Sequence, residues 1–119
     1  MQDYHNLKVW EKAHHLALDI YRASNGFPKN ELYGITSQLR RACVSVSANI
    51  VEGCGRRTRA DFKRFLTISL GSTNETEYFL LLSKDLGFVS PEVHEELSLR
   101  VIEIRKMLLS LIDRVGAKP

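Results

Sequence analysis

The sequence predicts an all-α protein, an antiparallel up-down-up-down four-helix bundle that forms one domain over residues 1–119. Three observations support this fold class. Hydrophobic residues make up 44% of the 119 residues, which is enough to fill one compact core. Proline occurs at only three positions, so long segments of the chain are free of helix breakers. Within those segments the apolar residues recur at helical rather than alternating spacing, so no strands are expected.

The first helix is predicted from about residue 7 to residue 24. Its apolar stripe consists of Val9, Ala13, Leu16 and Ile20. Asn25 and Gly26 follow, with Pro28 just beyond, and this combination is a typical helix stop. The second helix is predicted from about residue 31 to residue 52, before Gly53. Its stripe consists of Leu32, Ile35, Leu39, Ala42, Val46 and Asn49.

The third helix is predicted from Thr58, which forms a capping pair with Asp61, to about residue 86, where Gly87 follows. In the fourth, Ser90 suits the N-cap and Pro91 the first turn. The fourth helix has the most regular stripe: Leu97, Val101, Ile104, Leu108, Leu111 and Val115. Because the connections are short, neighbouring helices must run antiparallel.

Helices three and four carry more apolar surface than one bundle core requires. The additional positions are Phe65, Ile68, Ser72, Phe79 and Leu82 on helix three and Leu99, Ile102 and Leu109 on helix four. Large exposed apolar patches usually mark interfaces, so self-association is the preferred interpretation and a thick core is the alternative. The small residues Ser69, Gly71, Ser72 and Thr73 predict close packing of helix three against a neighbouring helix.

The positive charge of the chain is concentrated in one segment. The formal net charge is +3, whereas residues 40–64 contain seven basic and two acidic residues, a net charge of +5. The candidate nucleic-acid-binding residues in this segment are Arg56, Arg57, Arg59, Lys63 and Arg64. Glycines, arginines and a helix N-terminus together can bind phosphate. Equally, the glycines can merely reverse the chain while the arginines are solvated or pair with carboxylates.

Polar residues on the predicted inner faces suggest a structural ion-pair network. Its predicted members are Arg40, Arg41, Asn49, Glu52 and Glu75, with Arg56 as a further candidate partner. Because buried polar groups need partners, this structural role is preferred to acid–base chemistry.

No enzyme motif emerges, and we expect no cofactor and no metal. The glycine-rich turn lacks the Gly-Lys-Ser/Thr ending of a nucleotide-binding loop and follows a helix. Glu11 and His14 form only one of the two Glu-x-x-His pairs that a dimetal bundle requires. Cys43 is interpreted as a small buried apolar residue. Neither a membrane-spanning stretch nor a signal peptide is predicted, so a cytoplasmic location is expected.

Motifs along most of the chain resemble one bacterial family. They are residues 7–13 (LKVWEKA), 27–28 (FP), 31–34 (ELYG), 37–42 (SQLRRA), 48–53 (ANIVEG), 64–66 (RFL) and 70–72 (LGS). The chain resembles the four-helix bundle proteins encoded in intervening sequences of bacterial large-subunit ribosomal RNA genes. It is also similar to the accessory variability protein of diversity-generating retroelements. Ser47 and Cys43 depart from the family pattern, which often has proline and alanine there.

The resemblance implies a ring-like homopentamer with a basic surface. In the retroelement branch it also implies binding of nucleic acid and a reverse transcriptase. That role is not carried over to this chain, because a single sequence does not show the neighbouring genes. The leading functional hypothesis is a non-enzymatic, oligomeric nucleic-acid-binding protein without strong sequence preference, with RNA somewhat favoured over DNA. The alternative is a homo-oligomeric protein-interaction scaffold whose basic residues serve structural contacts.

Overall fold

In the computed structural model, which describes residues 2–117, four helices account for most of the chain. Helix α1 spans Lys8–Ser24, α2 spans Ile35–Cys54, α3 spans Arg59–Asp85 and α4 spans Pro91–Gly116. Short 3-10 helices at Tyr4–Asn6 and Lys29–Glu31 precede α1 and α2. No strand occurs among the described residues. The predicted all-α fold class is therefore confirmed.

The helices pack in sequence around one core. Helix α2 packs against α1 and α3, while α4 packs against α3 and closes the bundle against α1. The result is a rod of 49 × 24 × 20 Å. No helix in the described part of the chain is long and apolar enough to cross a membrane.

Most of the predicted stripe residues of α1, α2 and α4 are buried in the core, whereas on α2 Ile50 rather than the predicted Asn49 is fully buried. Ile20, Leu39, Ile50, Leu66, Leu80, Val101, Ile104 and Leu108 are almost completely buried. The predicted caps are confirmed, because Thr58 Oγ1 accepts from the amide of Asp61 and Ser90 Oγ accepts from the amide of Val93. Gly87 adopts a φ of 80°, the left-handed conformation that ends many helices.

Helix α2 begins later than the sequence predicts. Residues 32–34 form a turn, and the helix starts at Ile35 after Gly34, whose φ and ψ are −106° and −119°. Leu32 therefore lies outside the helix and is 48% exposed, so its assignment to the apolar stripe was wrong. Periodicity did not reveal this boundary, because Leu32 lies three residues before Ile35 and so matches helical spacing.

Buried hydroxyl side chains line α3, and two of them, Ser69 and Ser72, form hydrogen bonds with α2. Ser69, Ser72, Thr73, Thr76 and Ser83 of α3 are all buried. Ser69 Oγ donates to the carbonyl of Val46 in α2 at 2.7 Å, so the two helices approach closely, as the small residues predict. Gly71 does not share this role, because it is exposed and a Cβ added there would meet nothing within 4 Å.

The two ends of the rod differ in character. At one end Phe27, in the connection between α1 and α2, packs against Phe88, in the connection between α3 and α4, with ring centroids 5.6 Å apart. At the other end the α2–α3 connection meets the N-terminal segment, where the amide of Gln2 donates to the carbonyl of Cys54 at 2.9 Å. The end of α4 also lies here, beside the start of α3. We call this second end the basal end.

Candidate nucleic-acid interface

The turn between α2 and α3 brings basic side chains to the basal end. Gly53 permits this turn, because a Cβ there would lie 3.0 Å from Phe62 Cδ1 and 3.1 Å from the Cβ of Phe65. The turn positions Arg56 and Arg57 beside the N-terminus of α3. Together with Arg59 they line a small cavity of about 130 Å³. Positive side chains and the positive end of a helix dipole therefore face the same space.

Arg56 and Arg64 already have partners within the chain. Arg56 Nη2 lies 3.1 Å from Glu52 Oε1, and Arg64 Nε lies 3.6 Å from Asp61 Oδ1. Both guanidinium groups also lie over the ring of Phe65, at 4.6 and 4.4 Å from its centroid. Because exposed ion pairs contribute only about 0–1 kcal/mol, an incoming phosphate can compete for these two arginines.

Arg59 and Lys63 lie beside the C-terminus of α4. Arg59 Nη1 donates to the carbonyl oxygen of Ala117 at 2.7 Å. The side chain of Lys63 is close to Gly116, since a Cβ built there would be 3.3 Å from Lys63 Nζ. Cations near a helix C-terminus are stabilising, and its hydrogen bond gives Arg59 a structural role there. Arg57 is exposed, and its side chain makes no hydrogen bond or ion pair with residues 2–117.

The other two arginines of the basic segment lie elsewhere in the bundle. Arg40 Nε donates to Ser24 Oγ at 2.8 Å, and its guanidinium lies 4.6 Å from the centroid of the Tyr21 ring. Arg40 precedes Cys54, the last residue of α2, by 14 positions, which corresponds to about 21 Å along the helix axis. The +5 segment therefore forms two separate basic clusters rather than one surface.

The five residues expected to form one polar network make separate contacts. Asn49 Nδ2 donates to the carbonyl and hydroxyl oxygens of Ser45 within α2, at 2.8 and 2.9 Å, so it needs no arginine partner. Glu52 pairs with Arg56. Arg41 and Glu75 line a shared cavity of about 350 Å³, and both are exposed.

An ion pair between α3 and α4 involves a residue that the sequence reasoning missed. Arg105 of α4 donates to both carboxylate oxygens of Glu77 at 3.0 and 3.1 Å, and also to Asn74 Oδ1 at 3.1 Å. The hydrogen bonds to Glu77 raise the pKa of Arg105. Nothing in the sequence pairs Glu77 with a residue on another helix.

Both cysteines of the chain are buried. Cys43 is 1% exposed, as expected, and burial raises the pKa of its thiol to about 12. Burial also raises the pKa of Cys54. His14 stacks on Trp10 with ring centroids 5.1 Å apart. No group of three metal-ligating side chains occurs among residues 2–117.

Three further cations lie at the basal end. Lys8 at the start of α1 and Lys106 and Arg114 near the end of α4 line cavities there, and the cavity that includes Arg114 also includes Arg59. These residues are remote in sequence from the basic segment. The antiparallel arrangement returns the end of α4 to the start of α1. This arrangement places the three cations at the same end of the bundle as the basic residues of the α2–α3 turn.

Comparison with known proteins adds two findings. Residues 5–110 match the family described as 23S rRNA-intervening sequence protein. A crystal structure of a protein of unknown function from the S23 ribosomal protein family of Bacteroides thetaiotaomicron superposes with a TM-score of 0.79 and 32% sequence identity, covering 87% of this chain and 97% of that one. No curated protein matches the sequence. Neither description includes an enzymatic activity.

Proposed function

Because this chain belongs to the 23S rRNA-intervening sequence protein family, we propose that it is a non-enzymatic, oligomeric protein that binds nucleic acid, RNA in preference to DNA. The basic residues at the basal end contact phosphates without reading base sequence. The family description names 23S rRNA, and this link supports RNA as the ligand.

The single observation that carries the proposal is the concentration of cations around the start of α3. Arg56, Arg57 and Arg59 line one cavity there, and no carboxylate-bearing residue is among the described residues that line it. Lys63 and Arg64 follow on the first turns of the same helix. Binding through such a cluster releases counterions from the polyanion, so its affinity must fall steeply as salt rises.

Self-association would multiply these weak contacts. Ile68, Leu99 and Leu109 are 42%, 59% and 46% exposed on the outer faces of α3 and α4. We propose that these faces are buried between the subunits of the ring-like pentamer that the family resemblance implies. Several basal ends on one assembly could then bind one long strand, and this linkage raises avidity without new contacts.

The proposal is tested by measuring the affinity for random single-stranded RNA across a range of salt concentrations. The informative variant is Arg57→Gln with Lys63→Gln, because both residues are exposed and neither side chain has an ion pair with residues 2–117. The plot of log affinity against log salt falls less steeply when phosphate contacts are lost. Losing two of them should make its slope for single strands shallower by about 1.4. Arg59 is less suitable, because its substitution would also remove the hydrogen bond to Ala117.

A matched control variant carries Lys29→Gln and Arg41→Gln. It loses the same charge, but Lys29 lies in the connection between α1 and α2, and Arg41 is one residue from Arg40 in the other basic cluster. The control should retain the parental slope. If the Arg57 and Lys63 variant matches the control in both affinity and slope, the basal cluster is not the binding surface.

The alternative function is a homo-oligomeric scaffold for protein partners. The intramolecular contacts of Arg56, Arg59 and Arg64 favour it, because each of these side chains already serves a structural contact. Absence of salt-sensitive binding to RNA and DNA, together with capture of a specific protein free of nucleic acid, would support the scaffold. These two measurements together separate the two functions.

A further inference from the structure

Three cavities at the basal end adjoin one another and form a continuous depression. The first, of about 500 Å³, lies between the start of α1 and the last turns of α4. It shares Leu7, Leu111 and Arg114 with a second cavity of about 420 Å³. The second in turn shares Arg59 and Phe62 with the small cavity at the α2–α3 turn. We call this depression the basal groove.

The basal groove is lined by cations from four parts of the chain. They are Lys8, Arg56, Arg57, Arg59, Lys106 and Arg114. No aspartate or glutamate is among the residues from 2 to 117 that line the three cavities. The cavity shared by Arg41 and Glu75 is different, because a cation and a carboxylate line it together. The basal groove therefore has an electrostatic preference for an anionic occupant.

The floor of the basal groove is apolar. Leu7, Phe62, Met107, Leu111 and Val115 contribute to its lining. The lining also includes uncharged polar side chains that can donate or accept hydrogen bonds, namely Gln2, Asn6, Thr58 and Ser110. Its occupant must therefore combine a row of negative charges with apolar surfaces along the same chain.

We propose that the basal groove binds a single-stranded stretch of nucleic acid, with phosphates on the cations and unstacked bases on the apolar floor. This inference rests on the proposed function and specifies its ligand and path. A duplex presents phosphates and sugars while its base faces are stacked inside, so it gains nothing from the floor. A single strand uses both features. Lys106 and Arg114, eight residues or about 12 Å apart along α4, extend the phosphate path beyond the α2–α3 turn.

The test uses the variant Lys106→Gln with Arg114→Gln in the full chain. Both side chains are exposed, and neither makes an ion pair or side-chain hydrogen bond with residues 2–117, so the fold should be unaffected. We expect the slope of log affinity against log salt for single-stranded RNA to become shallower by about 1.4, with the slope for duplex RNA unchanged. The Lys29 and Arg41 control variant should keep both slopes. Iodouridine-containing RNA irradiated on the wild-type protein should cross-link at Phe62 or Met107.

The outcomes separate this inference from the proposed function. In one outcome, the Lys106 and Arg114 variant keeps the wild-type salt slope for single-stranded RNA while the slope of the Arg57 and Lys63 variant becomes shallower. That result refutes the groove and supports the basal cluster. Equal binding of duplex and single strands by the wild type, or displacement of RNA by polyglutamate at equal charge concentration, also overturns the groove assignment. If the wild type binds no nucleic acid at all, the proposed function fails as well.

Discussion

Two glycines in helices should respond in opposite ways to replacement by alanine. Gly71 lies in the middle of α3, is exposed, and has no atom within 4 Å of the position of an added Cβ. Alanine is favoured over glycine in a helix interior by about 1 kcal/mol. Gly71→Ala should therefore stabilise the protein by roughly 0.5–1 kcal/mol.

Gly53 lies in the last turn of α2, and its replacement has a steric cost. An added Cβ would lie 3.0 Å from Phe62 Cδ1, 3.1 Å from Phe65 Cβ and 3.3 Å from the carbonyl oxygen of Phe62. That carbonyl belongs to the backbone of α3, so relief requires movement of the helix itself. Overpacking of this kind costs about 1–3 kcal/mol, against a propensity gain of at most about 1 kcal/mol. Gly53→Ala should therefore be destabilising by up to about 2 kcal/mol.

Thermal and urea unfolding followed by circular dichroism measure the difference between the two variants. The separation of about 0.5–3 kcal/mol corresponds to roughly 4 °C in Tm for each kcal/mol in a chain of this length. Because the clash involves Phe62, the Gly53→Ala variant should also bind RNA more weakly. A Gly53→Ala protein that melts at or above the temperature of Gly71→Ala would refute the steric reasoning.

Three further predictions concern reactivity, acid stability and capping. Neither Cys43 nor Cys54 should react with Ellman's reagent until the protein unfolds, because burial raises both thiol pKa values; rapid labelling of native protein would contradict this. The hydrogen bond from Arg100 lowers the pKa of Asp19. The charged carboxylate therefore stabilises the folded protein above the ordinary aspartate pKa, and this stabilisation is lost as pH falls through the lowered pKa. Asp19→Asn should therefore make Tm less sensitive to acid. If Tm falls with pH in this variant as it does in the wild type, the Asp19–Arg100 pair does not contribute to acid stability. Ser90→Ala removes the N-cap of α4 and should cost about 1 kcal/mol in urea unfolding; unchanged stability would exclude this contribution.

The fold could be predicted well from the sequence because its signals are local. The N-caps Thr58 and Ser90 and the stop at Gly87 depend on residues within one turn of the helix boundary, and all three are observed. Leu32 and Gly71 show the limit of such reasoning. Helical spacing did not distinguish a turn residue from a core residue, and small size did not distinguish an exposed glycine from a packed one.

The site could be predicted only in part because its geometry depends on distant residues. The cluster from Arg56 to Arg64 is continuous in sequence, so its charge was visible. The separation of Arg40 from it follows from the length of α2, while the contact of Arg59 with Ala117 spans 58 residues. Composition could not reveal these relationships, since they arise when the ends of different helices meet.

The elongated shape of the bundle affects how assembly must be measured. Its radius of gyration is 14.8 Å, against about 13.5 Å for an average compact domain of this length. A rod tumbles and diffuses more slowly than a sphere of equal mass, so the monomer should leave a gel-filtration column ahead of globular standards of 13.6 kDa. Elution volume alone would therefore overstate the number of subunits. Scattered-light intensity depends on mass rather than shape for particles this small, and it distinguishes one subunit from five.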